Sequence, residues 1–404
     1  MFNFVADRIV KGRLYPAFAR HRAEPRTQAW REFSQHWPRT VPFDIHEFCL
    51  LFEFPAQTWT IDQAYPADSF YPVQLCWFDF GIDYFALLPD SVRERAKAGQ
   101  CRVLFYYDEG DNPANIHHRI DKLCERHDLP DDCWVFVSAN TAAQQLDNMH
   151  YLAGDELLYW WRNRDHAPLP IHNHARPYRF TILNRTHKWW RATVMTDLQR
   201  HGILDQSQWS YNPVIDINDA REDNPIEEDY DSELRSMVSN FVEHGPYQCD
   251  SATPDQHNDH TRLDTHLFTD SYCQIILETH FDADGSGGGF LTEKTFKCIK
   301  HAQPFVIAGT PGSIAQLRRM GYRTFDSVID HSYDQETNNT RRWQLLLSEI
   351  RRLNTCDMHE IFLECVPDLI HNQQLFSNSK LNRLQQLWQS INEKTQQLHI
   401  LATP

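Results

Sequence analysis

The sequence predicts an α/β protein of two domains, each built on a mostly parallel sheet, followed by a helical tail. Three observations carry this prediction. From about residue 70, short apolar runs alternate with amphipathic stretches of roughly ten to fifteen residues, the pattern of βαβ units. The pattern restarts after a polar, aromatic stretch, which sets domains of 1–170 and 171–345, and 346–404 reads as helix that packs back on the body. The length of 404 residues, with 41% hydrophobic and 13% aromatic side chains, suits two cores of ordinary size.

The elements follow in order. Residues 1–65 are rich in Arg, His, Trp and Pro and give no motif. VQLCWFDF (73–80) reads as a strand, SVRERAKAG (91–99) as a short helix and CRVLFYYDEG (101–110) as a buried strand ending in an acidic turn. NIHHRIDKLCERHD (115–128) places Ile116, Ile120 and Leu123 on one helical face, and CWVFVSAN (133–140) is the next strand. In the second domain RFTILN (179–184) is a strand, and RATVMTDLQRHGIL (191–204) is a helix for which Gly202 is a C-terminal stop. CQIILE (273–278) and PFVIAG (304–309) are strands. TEKTFKCIKHA (292–302) is a helix opening at Thr292, and SIAQLRRMG (313–321) one capped by Ser313. Helices are expected near 340–353, 361–370 and 380–398.

Charge and cysteine usage exclude several classes. With 39 basic against 55 acidic residues the net charge is −16, which disfavours a dedicated nucleic-acid binder. Nine acids and one base, Arg221, fall between Asp216 and Glu233, a pattern expected of a solvated loop. The ten cysteines form no CxxC pair and are expected to be reduced core residues. The start lacks the apolar core of a signal peptide and no long uncharged apolar window occurs, so a cytoplasmic protein without a membrane span is expected. Histidines at 172–174, 257–260 and 266 lack partners in a familiar metal-ligand spacing, so no metal is expected.

Two segments suit anion chemistry. GSGGGFLTEK (285–294) holds four of the fourteen glycines ahead of a helix that Thr292 can cap. Free amides at that helix start suit a phosphate, Lys294 its charge and Glu293 a ribose hydroxyl, although the pattern equally fits an ordinary capped helix behind a mobile loop. The second segment contains Arg176, Arg179, Arg185, Lys188 and Arg191 with no acid, beside a strand end where open α/β sheets bind ligands. Its alternative is a solvated basic loop. Trp189 and Trp190 suit stacking on a base or sugar, or packing. The GTPGS turn (309–313) offers further amides, and Tyr333 and Asp334 lie at a turn without an assigned role.

Taken in order, the strand and basic turn, Glu278 after CQIIL, FLTEK at 290–294 and the strand PFVIAG at 304–309 resemble the donor-binding half of the alpha-1,3-fucosyltransferase family. The resemblance covers roughly 175–335. EKTFK, QPFVIAG, PGS and LRRMGYRTF are also similar to segments of phage and bacterial proteins. The chain departs from the family in carrying ETHFDADGSGGG, where those enzymes have a polar motif with Asn and Ser before the aspartate. The resemblance implies a GT-B glycosyltransferase: two Rossmann-like domains facing across a cleft, a nucleotide-sugar donor with a GDP-sugar favoured, no cofactor, and a glycan or other hydroxyl-bearing acceptor. By position it implies donor contacts from Arg191, Glu293 and Lys294, with Glu278, Arg185, Lys188 and Thr292 completing the candidate donor site.

Inverting transfer needs a base on the acceptor hydroxyl and positive charge at the departing diphosphate. In YYDEGDNP (106–113) the expected base is Glu109, ahead of Asp108 and Asp111, because Gly110 permits close approach; Asp83 is a weaker choice and a polar turn is the plain alternative. Two other functions fit the same fold. One is a phage-type glycosyltransferase acting on a modified DNA base, for which Arg20, Arg22, Arg26, Arg31 and Arg39 supply local charge. The other is a noncatalytic nucleotide-binding or assembly protein.

Overall fold

The computed structural model describes residues 2–6, 45, 48–49, 52–75, 80–107, 109–184, 187–213, 224–226, 232–249, 264–282 and 287–401. The protein is α/β, with two fully parallel sheets and a helical C-terminus. Its contacts divide it into two units: residues 1–154 with 380–404, and residues 155–379.

In the first unit the strands are β1 (Phe2–Ala6), β2 (Ala56–Thr60), β3 (Ser69–Leu75), β4 (Cys101–Tyr107), β5 (Trp134–Ser138) and β6 (Met149–Tyr151), in the order β2-β1-β3-β4-β5-β6. Helix α1 (Asp90–Lys97) leads into β4 and α2 (Pro113–His127) into β5. The predicted face of α2 is buried through Ile116, Ile120 and Leu123, with Cys124 beside them. The helix starts where the Asn112 side chain accepts from the Ala114 amide and stops at Asp128, which is left-handed. Residues 1–65 give no motif in the sequence, yet β1 and β2 form there and pair along five residues.

In the second unit α3 (Gly154–Arg162) precedes β7 (Tyr178–Asn184), α4 (Trp189–Arg200), β8 (Ser207–Tyr211), α5 (Ser232–Glu243), α6 (His266–Thr269) and β9 (Ser271–Leu277). Then come α7 (Glu293–Lys300), β10 (Phe305–Ala308), α8 (Ser313–Arg319), α9 (Asn339–Thr355) and α10 (Met358–Asn378). The order β10-β9-β7-β8 reverses direction between β7 and β9. Such a reversal leaves a crevice at the carboxyl ends of the two strands, because the connections on either side leave in opposite directions. Gly202, with φ +69, follows α4 as expected of its C-terminal stop.

The division differs from the boundary expected near 170, and side-chain bonds give the reason. Glu156, 1% exposed, accepts from Tyr322 Oη at 2.5 Å and from Ser379 Oγ at 2.7 Å, which ties α3 into the second unit. The Asn163 carbonyl takes the Lys300 ammonium at 2.5 Å. The expected tail over 346–404 is also divided. Helices α9 and α10 belong to the second unit, where Trp343 Nε1 donates to Asp197 on α4 at 2.9 Å. Helix α11 (Lys380–Leu401) belongs to the first, where Trp388 packs on Phe2 with ring centroids 4.0 Å apart.

Candidate active site at a strand-order reversal

The carboxyl ends of β7 and β9 bring together the side chains that the sequence singled out on either side of them. Asn184 ends β7 and Arg191 lies in the first turn of α4; both are buried, at 2% and 3% exposure. The Arg191 guanidinium donates to the carbonyls of Leu277 (3.3 Å) and Glu278 (2.6 Å) and to Asn184 Oδ1 (3.4 Å). It therefore joins the two strand ends across the reversal. The α4 start has Lys188 as its N-cap, whose side chain makes no cap bond, and among the described residues Asn184 Nδ2 has no hydrogen-bond partner. A helix start beside a buried donor favours an oxyanion.

The opposite wall is the start of α7. Thr292 caps it, its Oγ1 accepting from the Lys294 amide at 3.5 Å, and Glu278 fixes Thr292 in turn. Glu278 is fully buried. One carboxylate oxygen accepts from the Thr292 amide (3.1 Å) and Thr295 Oγ1 (2.6 Å), the other from Thr292 Oγ1 (2.6 Å). Glu278 thus holds the end of β9 to the first turn of α7 rather than facing solvent. The Lys294 ammonium sits 3.0 Å from Thr292 Oγ1, 3.4 Å from Thr279 Oγ1, 3.7 Å from the Glu293 carboxylate and 4.0 Å from that of Glu278. Its side chain is 25% exposed and that of Glu293 17%, so both are in part open to solvent. Gly309 explains the small residue after β10: a Cβ there would lie 3.0 Å from Ser313 Oγ and 3.5 Å from Glu278 Cβ.

The segment after β9 is pinned by Trp190, which the sequence offered for stacking or packing, and by Arg342 and Asn339, which the sequence gave no reason to select. Trp190 stacks on Phe281 at 5.0 Å and 22°, which makes it a packing residue. Trp189 meets the buried His187 ring edge-on at 4.9 Å. The Arg342 guanidinium lies 4.3 Å from the Phe281 ring and donates to the Phe281 and Glu336 carbonyls and to Asn339 Oδ1. Burial pushes Arg342 down to about 10. Asn339 Nδ2 in turn reaches Asp282 at 3.0 Å.

The five basic residues do not form one pocket. Arg176 precedes β7 at its far end, donating to the carbonyls of Phe268 (2.8 Å) and Ser271 (2.6 Å) beneath the Phe362 ring. Burial pushes it down to about 10. Arg179 donates to the Cys356 carbonyl at 2.5 Å and to that of Leu353 at 3.3 Å. Arg185 lies outside the described residues. The GTPGS turn is also differently used. Its helix is capped at Gly312, not Ser313, and the Ile314 and Ala315 amides donate to the Asp334 carboxylate at 2.8 and 3.0 Å. Ser313 Oγ instead donates to the Thr310 carbonyl at 2.7 Å.

In the acidic stretch, most of which lies outside the described residues, Asn224–Ile226 departs from the solvated loop expected. Ile226 is fully buried, its carbonyl accepts from Thr340 Oγ1 at 3.2 Å, and Asn224 Nδ2 donates to Thr193 Oγ1 at 2.7 Å. Glu233 lies in the first turn of α5.

Glu109 belongs to the first unit, half-buried after the carboxyl end of β4. The turn around it is ordered: Asn140 Nδ2 donates to the Gly110 carbonyl at 2.9 Å and Tyr107 Oη to Asp111 at 2.5 Å. Asp108 lies outside the described residues. Asp83 is tied to His127 (2.8 Å), Arg126 (3.1 Å) and the Ala86 amide (3.0 Å). Its carboxyl titrates below the ordinary range: burial, the largest influence, raises it, and these hydrogen bonds together outweigh that. Among the described residues, no three His, Cys, Asp or Glu side chains group to hold a metal, and no helix is long and apolar enough to cross a membrane. No protein-family model matches the chain, and no curated protein matches it in sequence.

Proposed function

We propose that the protein is a glycosyltransferase of GT-B type, moving a sugar from a nucleotide-diphosphate donor to an acceptor hydroxyl by inversion. The observation that carries this reading is the convergence of Lys294, the capped start of α7, the start of α4 and the Asn184 amide around one strand-order reversal. In this reading the diphosphate lies between the α4 start and the Lys294 ammonium; at α7 the Thr292 and Lys294 amides are already bonded to Glu278 and Thr292 Oγ1. Glu293 accepts from a ribose hydroxyl. Arg191 and Glu278 hold the crevice in shape, one joining β7 to β9 and the other β9 to α7.

The chemistry asks little else of this unit. A departing nucleoside diphosphate is stabilised by fixed positive charge, and the same groups serve without a metal. Glu109, named from the sequence, is the proposed base. A GDP-sugar is the favoured donor, and the reaction is assigned to the cytoplasm.

A thermal-shift series with GDP, UDP, CDP and ADP, alone and as their sugars, tests the reading. One of them should stabilise the protein by about 2.7 kcal/mol at a hundredfold excess over its Kd. Lys294→Ala should abolish the shift, and Glu109→Gln should keep it while removing transfer. Failure of every nucleotide to stabilise the wild-type protein would overturn the donor site; transfer by Glu109→Gln would remove that residue as base.

A further inference from the structure

We infer that Cys124 and Cys133 are a redox-responsive dithiol that closes into an intrachain disulfide under oxidising conditions. Their Sγ atoms lie 3.9 Å apart in the core of the first unit, with the residues 0% and 2% exposed. The backbone delivers both side chains to one point. Cys124 ends the buried face of α2, where its carbonyl accepts from the Leu129 amide at 3.0 Å. Cys133 directly precedes β5; its amide donates to the Pro130 carbonyl at 3.0 Å and its carbonyl accepts from the Val103 amide at 2.8 Å. Bond formation at about 2.05 Å requires the sulfurs to approach by about 1.9 Å, within reach of side-chain rotation and a small loop adjustment.

The closed fold protects the reduced pair. The hydrogen bond with Cys124, which Cys133 donates when it is the protonated partner, and burial hold the Cys133 thiol far above its ordinary range, so the reactive thiolate is scarce. Reaction proceeds when the connecting segment opens. Only five residues, Asp128–Asp132, link α2 to Cys133, and the Asp128 carboxylate is 87% exposed in its pair with Lys97. With a small disulfide such as oxidised glutathione, one cysteine thiolate attacks a glutathione sulfur and releases one glutathione thiolate. The second cysteine, losing its proton, then displaces the other glutathione. Two protein thiols are oxidised and one glutathione disulfide is reduced to two glutathione molecules. The product ties the last turn of α2 to the start of β5. It encloses Arg126 and His127, which hold Asp83.

The test uses the full chain equilibrated in glutathione buffers of graded ratio, quenched with iodoacetamide and digested with trypsin. Cleavage after Lys122 and Arg126 leaves the two cysteines on separate peptides, so the disulfide is read as a linked pair. Expected are that pair in the oxidised wild type, its loss on reduction, and a Tm higher by about 5 °C in the oxidised form. Cys124→Ser and Cys133→Ser should each lose both the pair and the shift. Full alkylation of both thiols in the oxidised wild type overturns the proposal whatever the variants do. An unchanged Tm shift in the folded serine variants removes its stabilising role.

Discussion

Glu278 is the residue on which the geometry of the candidate site most depends, and Glu278→Ala tests that dependence. The substitution deletes the acceptor for three buried donors: the Thr292 amide, Thr292 Oγ1 and Thr295 Oγ1, at 3.1, 2.6 and 2.6 Å. Hydrogen bonds to a charged group contribute about 1.5–3 kcal/mol each. The Thr295 hydroxyl can recover part of its share by turning to the carbonyl one turn back along α7, whereas the Thr292 amide cannot. A loss of about 3–5 kcal/mol follows. Glu278→Gln keeps one acceptor and presents an NH2 where Thr292 Oγ1 now donates, so about 1–2 kcal/mol is expected.

Urea unfolding followed by tryptophan fluorescence gives the total, and amide exchange over residues 290–300 gives its location. Exchange there should rise while that of the first unit stays unchanged. Thr295→Val in the Glu278→Gln background should cost less than in the wild type, because the two groups share one bond. If Glu278→Ala changes stability by under about 1 kcal/mol with exchange at α7 unaltered, the carboxylate does not organise the helix start. The account of Lys294 positioning would fall with it.

Three further outcomes follow from buried and half-buried titratable groups. Burial, reinforced by Lys300 and Lys297, pushes His301 down to about 3. The unfolded chain therefore binds the extra proton first, so stability is fully present above about pH 6.5 and falls as pH drops toward 3, by on the order of 4 kcal/mol. Urea midpoints against pH should show this slope flattened in His301→Gln, and an unchanged slope would contradict it. Asp334→Ala leaves the Ile314 and Ala315 amides uncapped at the start of α8, and should cost about 1–2 kcal/mol with faster exchange confined to 313–319. Lys394→Met removes an ammonium that donates to the carbonyls of Gln144 (3.2 Å), Leu146 (2.5 Å) and Met149 (2.9 Å). About 2 kcal/mol should be lost, with exchange rising at 144–151.

The parts of the fold that could be read from the sequence are those fixed locally. The face of α2 is written at helical spacing in Ile116, Ile120 and Leu123, and Thr292 and Gly202 mark the ends of α7 and α4 by conformational preference alone. What escaped depends on distant partners. β2 carries the half-exposed pattern of an edge strand, and its pairing with β1 crosses some fifty residues. The cap on α8 comes from Asp334, about twenty residues beyond the helix start, so Ser313 was the nearest plausible choice and the wrong one.

The basic turn shows why a sum of neighbouring charges is a poor measure of a pocket. Five cations between Arg176 and Arg191 are contiguous in sequence, but β7 lies among them, and seven residues of strand extend about 20 Å. Arg176 and Arg179 therefore sit toward the amino end of the sheet and Arg191 at its carboxyl end. Even there, the Arg191 guanidinium is directed at carbonyls, where it holds two strands together. Among the described residues, positive potential there then rests on the partly exposed Lys294 and on the α4 start with Lys188 as its N-cap. Fixed amides near the protein interior are screened by salt less than an exposed cation is. A phosphate held mainly by the amides at the α4 start should keep most of its affinity as salt rises, and lose it when that helix start is disordered.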